Sequence, residues 1–398
     1  GCCMHKEMNA FKGGVAAMEA WWGANGIEPP ARMYNWDNAA ASTLAPGTAA
    51  LKRAEEKSKG GAIKVSDLAG AVFRHKDRKR GQQDTLRFYF DRLLGFTIEF
   101  PDTNNTRFQS HAEAAAVIIT YLQYFLEFLR LVEDNKNSRS LNHMERNVLR
   151  GLECRQTLHE FAVITLYHQC ISVPYMREIR GPIGSTEQNA LCLGPFHERL
   201  KTHLRLLIDE PELIVSRESF GNYKKAAFDG QLWDRLDAIY AVQSYLPELE
   251  HLKPLFVEFC KGALQTWERF TAEYAEGGEI SKLSVKNKKR AAMHKTNDLS
   301  EGSFGKFCRI QWSNPSMTLS QHNSREMIKN PGTVERLEEM NDRDWTSIRK
   351  IARKWDELGE DRRNKVSIAE NMNKVAEGKR QKDKEKAQRQ EQTQQKVD

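Results

Sequence analysis

The amino-acid sequence predicts a mainly α-helical protein. From residue 142 to about residue 276 apolar side chains recur at helical spacing in one unit after another, with Pro174, Pro182, Pro211 and Pro247 marking the breaks. Strand-like alternation of β-branched and aromatic residues is confined to one short stretch, 97–100. A chain of 398 residues also exceeds the size at which one hydrophobic core stops growing, so more than one packed unit is expected.

Residues 1–22 enter a helix that Gly13 and Gly14 interrupt and that Trp21 and Trp22 close with a heavy apolar end. Residues 23–63, rich in Gly, Pro, Ala and Asn, read as an irregular connection with a short helix at 51–57. A small helix, the basic turn 74–80 and an amphipathic helix with Leu86, Tyr89, Phe90, Leu93 and Leu94 on one side fill 65–95. After the strand candidate, the turn 101–105 and an extended piece at 106–108 lead to Ser110, whose hydroxyl is placed to cap one long apolar helix, 111–133. Helices are then expected at 142–173, 194–209, 231–245 and 252–276, their apolar stripes forming a core. A polar, basic stretch, 281–295, precedes amphipathic helices at 319–329 and 342–358. Beyond residue 374 almost nothing could enter a core, so the end of the chain is expected to be a solvated helix or disordered.

A formal net charge of +7 leans toward polyanionic partners, because Lys and Arg release counterions when they meet phosphates. Arg78, Lys79 and Arg80 lie in the turn at 74–80, and Lys288, Lys289 and Arg290 close a second basic run. Each is either a phosphate-contacting cluster or a solvated loop, and the second also suits a nuclear import signal. Seven cysteines without regular spacing fit a reducing compartment, and no apolar run reaches the roughly 18 residues needed to cross a bilayer.

Three short motifs could carry chemistry. Cys2 and His5 have the spacing of half a zinc site; with no second pair at suitable spacing, they otherwise brace the start of a helix. Arg107 and Phe108, in the run from Thr106 to Ser110, combine a group that holds phosphate bidentately with a ring that stacks on an unpaired base; the plainer reading is a surface ion pair beside a core ring. Glu301, in TNDLSEGSFG, stands among small residues at a helix start where a bulky ligand could approach, or simply where a carboxylate suits the helix dipole.

In their order along the chain these pieces resemble the hAT-like and Kyakuja-Dileera-Zisupton-like group of DDE DNA transposases. In that group an RNase H-like α/β fold holds two Asp and one Glu around divalent metal ions. A C-x-x-H element follows the second Asp, then a strand-to-helix T-R-W-x-S element, a large all-helical insertion, and the catalytic Glu on a final helix. Cys2 and His5 match the first element; Thr106, Arg107, Phe108 and Ser110 match the second, with Phe in place of Trp; Glu301 matches the last.

The resemblance implies an incomplete RNase H-like core at 1–133, an all-helical insertion domain at 134–290, a return to the core with the Glu-bearing helix at 291–358, and a charged tail at 359–398. It implies cut-and-paste transposition by two-metal phosphodiester cleavage and strand transfer, with Mg2+ or Mn2+ as cofactor of the intact enzyme and Glu301 as a catalytic, metal-binding carboxylate. The implied partner is DNA, both transposon ends and target, met by Arg107, Phe108 and the two basic clusters. A homo-oligomer and a nuclear location are also implied, with no membrane and no small-molecule substrate. The two Asp-bearing strands are expected upstream of Gly1, so this chain alone is expected to be inactive and to hold no metal tightly. Asp37, in NWDNAAA, follows the C-x-x-H element and is expected to be a turn residue. The competing expectation is a non-catalytic helical DNA- or protein-binding fragment of a decayed or co-opted transposase; a third is a helical scaffold with a coiled-coil tail.

Overall fold

The computed structural model describes the chain apart from residues 42–46, 76–80, 105–108, 182–188, 316, 318, 330, 331 and 395–398. It divides into two compact units, Gly1–Asn297 and Asp298–Asp398. Described helices of eight or more residues are labelled in chain order. In the first unit they are α1 (Cys3–Ala24), α2 (Ala49–Lys57), α3 (Gly61–Phe73), α4 (Gln83–Leu94), α5 (Gln109–Thr120), α6 (Leu122–Asn135), α7 (His143–Glu153), α8 (Arg155–Tyr167), α9 (Val173–Arg180), α10 (Gly194–Asp209), α11 (Leu236–Tyr245) and α12 (Leu252–Thr271). The second unit contributes α13 (Asp298–Ser313), α14 (Leu319–Ile328), α15 (Asp342–Glu357) and α16 (Glu360–Gln394). The protein is mainly α, with no strand among the described residues.

The first unit is organised around α8. From Thr157 to Tyr167 every residue of this helix is buried, the polar Thr157, His159, Glu160 and Thr165 included. Its neighbours are α3, α5, α7, α11 and α12, and α12 in turn packs along most of α1. One continuous core runs from Cys3 in α1 to Trp267 in α12, so helices on both sides of residue 133 share it. The buried carboxylate of α8 is matched: Glu160 accepts hydrogen bonds from the Ala62 amide (2.8 Å) and the Trp22 indole N–H (3.0 Å).

Gly13 and Gly14 do not interrupt α1, as the sequence suggested; they let α12 approach. A Cβ at Gly14 would stand 2.4 Å from the Phe259 ring, and one at Gly13 would stand 2.0 Å from Thr266 Oγ1. The single helix expected at 111–133 is two helices bent by 84° at Tyr121. Neither Pro nor Gly causes the bend; Thr120 Oγ1 turns back onto the Ala116 carbonyl at 2.6 Å, a local bond that competes with the helical ladder. Asp37 lies in a short helix, Trp36–Ala41, rather than in a turn.

The strand candidate 97–100 has the expected alternation, but no strand among the described residues pairs with it. Ile98 and Phe100 are buried, Thr97 and Glu99 are exposed, and Phe100 meets Phe73 and Phe125 on helices α3 and α6. A proline explains another departure. Pro174, near the start of α9, cannot donate to the Cys170 carbonyl; the chain widens into a π-helical turn, His168–Ser172, and the Phe228 amide serves that carbonyl at 2.9 Å.

In the second unit most described side chains are exposed, Phe304, Trp312 and Trp355 among them. The charged tail is helical to Gln394. Among the described residues no single helix is long and apolar enough to cross a membrane.

Candidate functional site

The start of α1 gathers segments that the sequence keeps far apart. Cys2 precedes the helix in extended conformation, and its thiol donates to Asn297 Oδ1 at 3.2 Å. The Cys3 amide donates to the Lys295 carbonyl at 2.9 Å. One turn on, Glu7 accepts from the Gln109 side chain at the first residue of α5. The C-x-x-H segment is thus joined both to the segment after Phe108 and to the residues immediately ahead of the helix that carries Glu301.

Two charged residues on the buried face of α1 anchor this junction. Lys6 is 4% exposed; its ammonium donates to the Phe270 carbonyl at 2.7 Å, pairs with Glu273 and lies 4.7 Å over the Tyr274 ring. Glu7 is fully buried, and that burial pushes its carboxyl above the ordinary value against the opposing pull of Ser172 and Gln109. Ser172 exerts its pull by proximity rather than through a formed hydrogen bond, because Glu7 Oε1 and Ser172 Oγ both lack a partner among the described residues. Sequence reading missed Lys6, Glu7 and Gln109. The available signal was a Lys-Glu pair on the helix face that also carries Cys3, Ala10 and Phe11.

The individual candidates fare differently. His5 is exposed, and among the described residues no three His, Cys, Asp or Glu side chains converge to hold a metal. Ser110 does not cap α5 at its first turn; its hydroxyl accepts from the Asn104 amide at 2.9 Å. Thr106, Arg107, Phe108, Arg78, Lys79 and Arg80 lie outside the described residues. Lys288, Lys289 and Arg290 end a six-residue helix, with Lys288 half-buried and the other two exposed; the Asn189 side chain donates to the Lys288 carbonyl at 2.8 Å and ties the cluster's backbone to the segment ahead of α10. Glu301 sits exposed in the first turn of α13, where the helix dipole favours a carboxylate, and nothing lies within 4 Å of a Cβ built at Gly302 or Gly305.

Comparison of the chain with protein-family models, with curated proteins and with solved structures gave no match.

Proposed function

We propose that this chain is the C-terminal portion of a cut-and-paste DNA transposase of the hAT-like and Kyakuja-Dileera-Zisupton-like group. In this reading Glu301 is the third carboxylate of a centre that cleaves and joins phosphodiesters with Mg2+ or Mn2+ in the intact enzyme, and upstream strands of an RNase H-like core supply the other two. One observation supports it above the rest: Cys2, in the first motif, bonds to Asn297, 295 positions away and at the edge of the last motif, while Glu7 bonds to Gln109 of the second. These bonds hold the start of the first motif, the residue Gln109 and the residue Asn297 within one packed unit, as the proposed core requires. The proposed partners are transposon ends and target DNA, and the proposed location is the nucleus.

The described residues do not fit a metal pair by themselves, so no chemical step is assigned to this chain alone. The test uses the protein with its upstream Asp-bearing strands. Glu301→Gln should leave folding and DNA binding intact and abolish metal-dependent strand cleavage, because the amide keeps the shape and removes the charge. Full cleavage by that variant removes Glu301 from the active centre. A second reading, a non-catalytic DNA- or protein-binding fragment, draws on one specific feature: no strand occurs among the described residues, whereas an RNase H-like core is built on a sheet. DNA binding without cleavage by the unsubstituted protein would select it.

A further inference from the structure

In the second unit, α15 and the residue that closes it carry one apolar side. At about 3.6 residues per turn, Trp345, Ile348, Ile351, Ala352, Trp355 and Leu358 fall within an arc of roughly 140°, along about 20 Å of helix. The Leu358 amide donates to the Lys354 carbonyl at 3.2 Å, so the stripe runs to the end of the last turn. A stripe of this kind normally faces a core, yet Ile351 is 54% exposed, Leu358 51% and Trp355 67%. Single apolar residues on a surface are ordinary, whereas a contiguous row that includes two indoles marks a contact.

The pattern of charge narrows what can cover it. Between Trp345 and Trp355 every charged residue is basic, Arg349, Lys350, Arg353 and Lys354, while the acids Asp342, Asp344, Asp356 and Glu357 lie at the two ends. Among the described residues the ion pairs of this unit join Lys306 and Lys329 to Glu326, and none uses a cation of α15. An occupant must therefore bring an apolar groove about as long as the stripe, with acidic walls at its middle. DNA meets the cations but leaves both indoles in water. An anionic membrane covers an apolar side, but its charge extends past the helix ends to the acids there, and Asp344, which shares the apolar side, is pressed toward lipid. A second copy sets four more cations beside those at the centre. A protein groove of finite length covers the middle and leaves the acidic ends in water. Calcium-loaded EF-hand sensors open such a groove, Met-rich and able to repack around bulky rings, in a carboxylate-rich protein.

We propose that α15 is a docking helix for an acidic, calcium-loaded EF-hand protein, with Trp345, Trp355 and Leu358 filling the groove and the four central cations facing its acidic walls. The inference goes beyond the transposase reading and uses neither Glu301 nor the two basic clusters, so cleavage assays and the following test fail independently. The probe is calmodulin. Calorimetric titration of the full chain with calmodulin in excess Ca2+ should give saturable binding that EGTA abolishes. Trp355→Ala removes an exposed ring on which packing does not depend, and should weaken that binding roughly tenfold or more. The double variant Lys350→Glu, Lys354→Glu leaves the apolar side intact and should weaken it by a similar factor through charge alone. Circular dichroism checks that helical content is unchanged in both variants. Absence of binding in Ca2+ overturns the proposal, as does binding that persists in EGTA or an unchanged affinity in the folded Trp355→Ala protein. Trp355-dependent binding to phosphatidylserine vesicles, or a dimer of the chain that Trp355→Ala dissociates, found in place of calmodulin binding, gives the helix to a membrane or to a second copy and overturns it likewise.

Discussion

A single carboxylate illustrates how residue-level chemistry is set by the packing around it. Glu160 lies fully buried at the N-terminus of α3, accepting from Ala62 and Trp22, and Gly61, at φ +80°, lets it approach: a Cβ there would stand 2.3 Å from Oε2. Burial pushes its pKa up from 4.5 to about 7, outweighing the two hydrogen bonds that pull it down. Since the folded state holds this proton more tightly than the unfolded chain, the contribution is fully present below the unfolded pKa of 4.5 and is lost as pH rises through about 7. Glu160→Gln, which mimics the protonated form, should therefore remove a decline in stability with rising pH, on the order of 2–3 kcal/mol across that window. Urea unfolding at a series of pH values measures it as the difference between the two proteins, in which the other titrating groups cancel. Parallel curves for wild type and variant would show that Glu160 is not the group responsible.

At the scale of elements, the helices were legible where a periodic apolar stripe coincided with a local stop or start signal. α7 begins where the helical stretch from residue 142 was expected to begin, and the structure adds a reciprocal cap of Asn142 and Glu145 with bonds of 2.9 and 2.8 Å. The misreadings came from residues whose role is set by a partner distant in sequence. Gly13 and Gly14 look like helix breakers until α12 is laid against them, and the alternating 97–100 segment looks like a strand until its inward side chains meet helices. Gly14→Ala should accordingly destabilise the protein by about 1–3 kcal/mol, because the Phe259 ring must shift by more than the gain in helix propensity can offset. Gly23→Ala, in the same helix with nothing within 4 Å of the added Cβ, should be neutral or stabilising by up to about 1 kcal/mol. Denaturant midpoints of the two variants decide it, and equal effects would mean that the glycines are not serving the α1–α12 contact.

For the whole molecule, the sequence revealed the class of fold and the order of the motifs, but not the residues that join them. Cys2 and Glu301 were visible because family-like spacing marks them; Lys6, Glu7 and Gln109, which link the segments, have no local signature beyond charge on an apolar face. The π-turn His168–Ser172 was illegible for a related reason: Pro174 imposes it, and period-based reading treats that stretch as ordinary helix. Charge, in contrast, can be read directly, and it yields a prediction for the entire chain. With +7 formal charges, and Lys288, Lys289 and Arg290 ending a helix whose backbone is tied to Asn189, the protein should bind DNA weakly and without sequence preference. Each phosphate neutralised contributes about 0.9 to the slope of log affinity against log salt, so replacing all three residues by Ala should reduce that slope by about 1 to 3 while leaving helical content unchanged. Fluorescence anisotropy with a random duplex across a salt series reads the slope directly. Affinity that does not fall between low and physiological salt would contradict phosphate binding altogether, whereas an unchanged slope in the triple variant would place the contacts elsewhere on the chain.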